Sequence, residues 1–264
     1  MTERIQSIRH DDGVVELHLA REDKMNALDS AMFDALIHHG EQLREDRGVR
    51  AVVLTGRGRA FCAGLDMESF AKMGEGGNMD LLPRTHGLAN KPQYIATVWR
   101  DVPVPVIAAV HGVAFGGGLQ LALGADLRLV TADTRLSVME IKWGLVPDMG
   151  GLPLMRPLVR DDVARELTYT GRIVLGEEAV ALGLATRVVA DPLAQAQHMA
   201  HEIASRSPDA IRAGKRLMNA MADSRVNDAQ LLLAESQEQQ KLIGSPNQTE
   251  AVLANLQKRA PRFV

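Results

Sequence analysis

The residues best suited to chemistry lie between Ser137 and Gly151. Glu140 sits among apolar neighbours there, and Asp148 follows eight positions later, after a Val-Pro turn. Burial raises the pKa of a carboxyl group toward the range useful for general acid/base work. Glu140 is therefore a candidate proton carrier, with pairing to a neighbouring arginine as the competing structural reading. Asp148 stands just before a helix, where an aspartate serves equally well as a cap. Two glycine-containing turns offer a second kind of group. Phe61-Cys62-Ala63-Gly64-Leu65-Asp66 follows one apolar run, and His111 to Gly118, with three consecutive glycines at 116–118, follows another. Glycine has no Cβ, so a ligand carbonyl can approach the main chain, and a helix beginning at Leu119 aims the positive end of its dipole at the same spot. Two backbone N–H groups converging on one oxygen stabilise negative charge that develops only during reaction. Close packing alone would also account for three glycines, and spacing does not decide between the two.

These groups need elements to hold them. Ile5 to Arg9 and Val14 to Leu19 alternate about Asp12-Gly13 and read as a hairpin. Ala31 to Arg44 has helical spacing with Asp29 or Ser30 as N-cap. Strands are expected at Ala51–Leu54, Val106–Val110 and Leu127–Val130. Helices are expected across Tyr94–Trp99 and Leu119–Leu123, and a mobile loop or lid at Ala71–Leu82. After Asp161 the pattern is helical, with Ala185–Val189 the one extended segment. The chain thus reads as an α/β core over residues 1–195, followed at 196–264 by a helical region. Its Leu217, Met218, Met221 and Leu231–Leu233 suit contact between subunits.

Composition narrows the classes. The 264 residues, 46% of them hydrophobic, suffice for a real core. A net charge of −3 with nine aromatic residues leaves neither a basic field nor stacking platforms for nucleic acid. One cysteine, Cys62, excludes a disulfide framework and fits a reducing, cytoplasmic setting. The nucleotide-binding, zinc-protease and serine-hydrolase signatures are absent, and His38-His39 lacks a third ligand at metal spacing, so no metal is expected. Val102 to Ala125 contains no charged residue over 24 positions, long enough to span a bilayer. Pro103, Pro105 and five glycines would expose backbone to lipid, so a buried strand, turn and helix is expected instead, with no membrane partner.

In order and spacing, six segments resemble the crotonase family, the enoyl-CoA hydratase and isomerase superfamily: Asp23–Leu28, Phe61–Asp66, Pro105–Gly112, Gly116–Gly118, Ala125–Arg128 and Gly144–Gly151. The resemblance covers essentially the whole chain. It implies a spiral of ββα units with a C-terminal helical trimerisation region, a homotrimer or a hexamer built as a dimer of trimers, and a coenzyme A thioester as substrate without further cofactor. It implies an oxyanion hole from the backbone N–H groups of Ala63 and Gly117. Lys24, Met25, Ala27, Ala63, Gly64, Leu65 and Asp66 would lie near coenzyme A. Hydratases of the family use two glutamates, and here the first of those positions is Gln120. An amide holds water or orients a substrate but exchanges no proton at pH 7. Members that move a 3-enoyl double bond similarly have a lone glutamate at the Glu140 position. The expectation is hydratase or isomerase chemistry through Glu140, with Asp148 and Gln120 assisting. The alternatives are a nucleophilic Asp148, as in the dehalogenase-like branch, and a silent acyl-CoA or RNA binder. Asp34, Glu41 and Glu45 on the early helix oppose RNA.

Overall fold

The structure is a computed structural model describing residues 3–66, 68 and 80–264. β1 (Ile5–Arg9) and β2 (Val14–Leu19) form the expected antiparallel hairpin, closed at Gly13 with φ +86°. Beside β2 run β3 (Ala51–Gly56) and β4 (Val106–Val110), both parallel to it. β5 (Val113–Phe115) leaves this sheet and pairs instead with β7 (Arg135–Ser137). β6 (Leu127–Val130) returns to β4, β8 (Val174–Leu175) closes on β7, and β9 (Arg187–Val188) closes on β6. Single bridges Leu28↔Leu65 and Cys62↔Ala114 extend the smaller sheet backwards. Each pass of the chain therefore lays one segment in each of two sheets before its helix, and the passes stack as a spiral.

β2, β3 and β4 are buried along their whole length; β3 and β4 read as near-continuous apolar runs, as strands covered on both faces must, while β2 carries Glu16 and His18, bonded to each other at 2.8 Å. Leu17, Val52, Leu54 and Ala108 face a core completed by helices Ser30–Glu45 and Lys91–Asp101. Asp29 caps the first by accepting from the Met32 N–H at 2.8 Å. The opposite face, with Val14, Val53, Ile107 and Leu129, packs on Ala196, Ala200 and Ala204. Those alanines, four residues apart, form one stripe of helix Pro192–Ala204. The 195/196 boundary read from sequence falls inside this helix, whose packing joins it to the sheet. Helix Pro208–Ala222 is also tied in, because buried Lys215 donates to the carbonyls of Trp99 and Val104 at 2.9 Å and to Asp126 at 2.7 Å. Helix Asp228–Leu242 buries none of its residues and leaves Leu232 and Leu233 exposed.

The uncharged stretch from Val102 to Ala125 becomes β4, β5 and helix Gly117–Gly124. No helix among the described residues is long and apolar enough to cross a membrane. β8 escaped the sequence reading because two residues carry no period. Of the expected loop at Ala71–Leu82, residues 71–79 lie outside the described residues.

Two of the three glycines are strictly required, and the third is crowded by a side chain. Gly116 has φ +51°, a Cβ on Gly117 would stand 2.8 Å from Met149 Sδ, and one on Gly118 would stand 2.3 Å from the Cys62 carbonyl oxygen. That last contact fixes helix Gly117–Gly124 against the Phe61–Asp66 turn. Gly118→Ala is expected to lower unfolding free energy by about 2–3 kcal/mol, measured by urea denaturation.

Candidate active site

The site is assembled from three successive passes of the spiral. The first pass carries Asp23–Leu28 and Phe61–Asp66, locked together by Asn26. The Asn26 side chain donates to the carbonyls of Arg57 at 2.9 Å and Ala60 at 2.8 Å and accepts from the Arg21 N–H at 2.9 Å. Those bonds hold Met25 and Asn26 in the left-handed region at φ 49° and 56°. Leu28 donates to the Gly64 carbonyl at 2.8 Å, and Asp66 donates its N–H to the Leu28 carbonyl at 3.0 Å. Buried Asp66 is ion-paired with Arg21 at 2.5 Å, so its carboxylate fastens this segment. Lys24 is exposed and paired with Glu68 at 3.1 Å. Ala27 is buried, and its carbonyl accepts from Arg21 at 3.0 Å.

The second pass supplies the glycines. The Gly117 N–H opens helix Gly117–Gly124 and has no acceptor among the described residues. Ala63 differs, because its N–H donates to the Met25 carbonyl at 2.9 Å. Of the two expected backbone donors the structure leaves Gly117 open and gives Ala63 a protein partner. That pairing arises from the left-handed turn at Met25, which spacing alone does not reveal. A cavity of about 100 Å³ lies between the passes. Ala63, Gly64 and Leu65 line one side, Phe115, Gly116 and Gly117 the floor, and Met139, Glu140, Trp143 and Leu145 the other side.

The third pass brings Glu140, the first residue of the short helical turn Glu140–Trp143 that ends on left-handed Gly144. Glu140 Oε1 accepts from Gln120 Nε2 at 2.6 Å, whereas Oε2 is buried without a hydrogen-bond partner. Burial pushes the Glu140 carboxyl above the ordinary glutamate range. Bonds from its own backbone N–H and from Gln120 oppose the rise, and the charge of Asp148 adds to it. No arginine pairs with Glu140 among the described residues. The Gln120 carbonyl is itself engaged, accepting from the N–H groups of Met149 and Gly151, both at 2.8 Å.

Asp148 is exposed, and partial desolvation raises its carboxyl, opposed by its own backbone N–H. It does not cap the helix beside it: Gly151–Met155 begins at Gly150 with no side-chain cap, and Gln120 takes those N–H groups instead. Cys62 donates to the Asn26 carbonyl at 3.2 Å, and burial pushes its thiol up to about 12, which suits an apolar filler. No cluster of three or more histidine, cysteine or acidic side chains able to hold a metal occurs among the described residues. The sequence reading passed over Arg21, Asn26 and Trp143. Asn26 lay inside a quoted motif, but nothing in the spacing marks Trp143 as a wall of the cavity.

A two-sheet spiral that brings glycine turns and a buried glutamate to one cavity defines a crotonase-fold protein. Comparison with known proteins agrees: the family model described as enoyl-CoA hydratase/isomerase matches residues 9–264. The chain is 33% identical over 261 residues to human mitochondrial enoyl-CoA hydratase domain-containing protein 2, covering 96% of this chain and 86% of that one. It is 31% identical to the carnitinyl-CoA dehydratase of Proteus mirabilis, covering 95% and 94%. A crystal structure of enoyl-CoA hydratase from Bacillus anthracis superposes with a TM-score of 0.87 at 30% identity, covering 98% of each chain. The chain belongs to the enoyl-CoA hydratase/isomerase family.

Two outcomes follow from the environments just described. Cys62 should resist iodoacetamide at pH 8 in the folded chain and react once urea unfolds it, read by mass spectrometry. A carboxyl whose pKa is raised in the folded state favours folding fully below its unfolded pKa, and that contribution is lost as pH rises through the folded value. The melting temperature of Glu140→Gln, relative to the parent, should therefore move in the variant's favour between pH 4 and pH 8.

Proposed function

We propose that this chain acts on an enoyl-CoA thioester and moves its double bond by proton transfer through Glu140. The observation that carries the proposal is the buried, unpartnered Oε2 of Glu140 on the wall of the cavity that the Gly117 N–H opens. The thioester oxygen binds that N–H and competes with the Met25 carbonyl for the N–H of Ala63. Charge on that oxygen is stabilised as the α-proton leaves, because the donors are fixed before the reaction begins. The proton goes from C2 of a 3-enoyl thioester to Oε2 of Glu140, the electron pair spreads into an enolate, and the proton returns at C4 to leave a 2-enoyl product. One carboxylate serves both steps. The nucleotide part of coenzyme A lies near Lys24, Met25 and Ala27 and near Ala63, Gly64, Leu65 and Asp66, the last fixing its segment through Arg21.

A second reading is hydration of a 2-enoyl thioester. It is favoured by the charge of Asp148 reaching Glu140, which would let Asp148 hold the water. Nucleophilic attack by Asp148 has less support, since Asp148 is exposed and does not line the cavity that Glu140 and Gly117 share. We also infer self-association as a homotrimer or a hexamer, supported by exposed Met218, Met221, Leu232, Leu233 and Leu256 in the C-terminal helices.

Turnover of 3-enoyl-CoA should fall about 10²- to 10⁴-fold in Glu140→Gln while thioester binding by calorimetry persists; an unimpaired variant sinks the proposal. Faster turnover of 2-enoyl-CoA in the parent would favour hydration. Leu232→Arg combined with Leu233→Arg should reduce the sedimenting species to a single chain.

A further inference from the structure

Gln120 stands where a second acid would be useful, yet every polar atom the structure shows at work on it faces protein. It is 2% exposed, in a helix whose other buried residues are glycine, leucine and alanine. Its carbonyl oxygen accepts two main-chain N–H groups, from Met149 and Gly151 at 2.8 Å each. Those two accepted bonds fill both lone-pair directions of an amide oxygen. Its Nε2 donates to Glu140 Oε1 at 2.6 Å. A side chain so committed has no acceptor left for water or substrate.

We propose that Gln120 is a positioning residue that decides which oxygen of Glu140 exchanges protons and holds the Met149–Gly151 turn in place. An amide NH₂ can only donate, so the Glu140 oxygen facing it must remain an acceptor through the whole reaction. A proton placed on Oε1 would point at another donor. The proton that Glu140 takes up therefore resides on Oε2, the oxygen without a partner. Gly116 leaves room for the gripped oxygen, since a Cβ there would sit 3.2 Å from Oε1. The same amide carbonyl anchors the backbone on both sides of Gly150, immediately after Asp148, so the two carboxyls are held in fixed relation. A glutamate at this position could keep the two accepted bonds but would repel Glu140 unless the pair shared a proton. The inference rests on Glu140 as the proton carrier and adds to it the reason that position 120 carries an amide.

The charged surroundings are few. Asp148 is the ionised group whose field reaches Glu140. Lys142 of the same turn is exposed, with its ammonium 5.6 Å from the centre of the Trp143 ring. Helix Asp161–Thr170 packs against that turn, and its charges are paired elsewhere, Arg165 with Asp161 at 2.7 Å and Glu166 with Arg172 at 2.6 Å. A change in the titration of Glu140 on altering residue 120 would thus report on residue 120 itself.

The test compares Gln120→Glu, Gln120→Met and Glu140→Gln in the full chain, with 3-enoyl-CoA as substrate. Gln120→Glu retains the acceptor for Met149 and Gly151 and should fold. Two carboxyls at hydrogen-bond distance cannot both ionise readily, so the acidic limb of its kcat/KM profile should move up by about one pH unit or more, with KM changed less than about threefold. Gln120→Met leaves two N–H groups unpaired; it should lose kcat at least about tenfold and melt earlier. A Gln120→Glu profile superimposable on the parent, with Glu140→Gln inactive, overturns the positioning role and leaves the Glu140 reading intact. An active Glu140→Gln variant overturns both.

Discussion

A carboxyl group with one oxygen hydrogen-bonded and the other dry and unpartnered is the constraint around which this fold is arranged. Leaving a buried acceptor unpaired costs about 1–3 kcal/mol, and Glu140 Oε2 bears that cost inside a folded chain. The surroundings must be rigid enough to hold it there. They are: Gln120 grips Oε1, the turn Glu140–Trp143 fixes the main chain, and Gly116 leaves the space a side chain would fill. Burial then raises the carboxyl's pKa above the ordinary glutamate range.

The spiral explains how three distant stretches meet. Parallel strands put all their trailing turns at one end of the sheet, so the segment after β3 and the segment after β4 emerge side by side. β7 then leads into Glu140 from the next pass. Packing between passes is backbone on backbone, and Gly118 against the Cys62 carbonyl sets the spacing. Asn26 fastens the first pass in a similar way to Gln120: it is a buried, uncharged amide, and it spends its donors and acceptor on loop backbone, where Gln120 gives only its carbonyl to backbone and its N–H to Glu140. The Glu140 carboxyl is thus held by an amide that cannot compete with it for protons.

Legibility in the sequence followed the range of the interactions involved. The hairpin about Gly13, the helix capped by Asp29 and the apolar runs of β3 and β4 were readable because their signals are local. Glu140 was readable because one carboxyl in an apolar run is conspicuous. What Gln120 touches was not, since its partners lie 20 to 31 positions away and depend on how two passes of the spiral register. The same applies to Ala63, whose N–H goes to Met25 only because two left-handed residues turn that carbonyl toward it. Asp148 looked like a helix cap by position, yet the cap is provided across space by Gln120. The alanine stripe of Pro192–Ala204 likewise gives no hint in sequence of which sheet it covers.

The central claim is that Glu140 removes a proton from the carbon next to a thioester held by the Gly117 N–H. The direct measurement is proton exchange at C2 of a saturated acyl-CoA in D₂O, followed by NMR, because such a thioester can neither hydrate nor isomerise and reports enolate formation alone. The account predicts that the chain catalyses exchange of one C2 proton, that the rate follows ionisation of a single carboxyl, and that Glu140→Gln abolishes it while the acyl-CoA still binds. Binding without exchange in the parent, or exchange undiminished in Glu140→Gln, would contradict it.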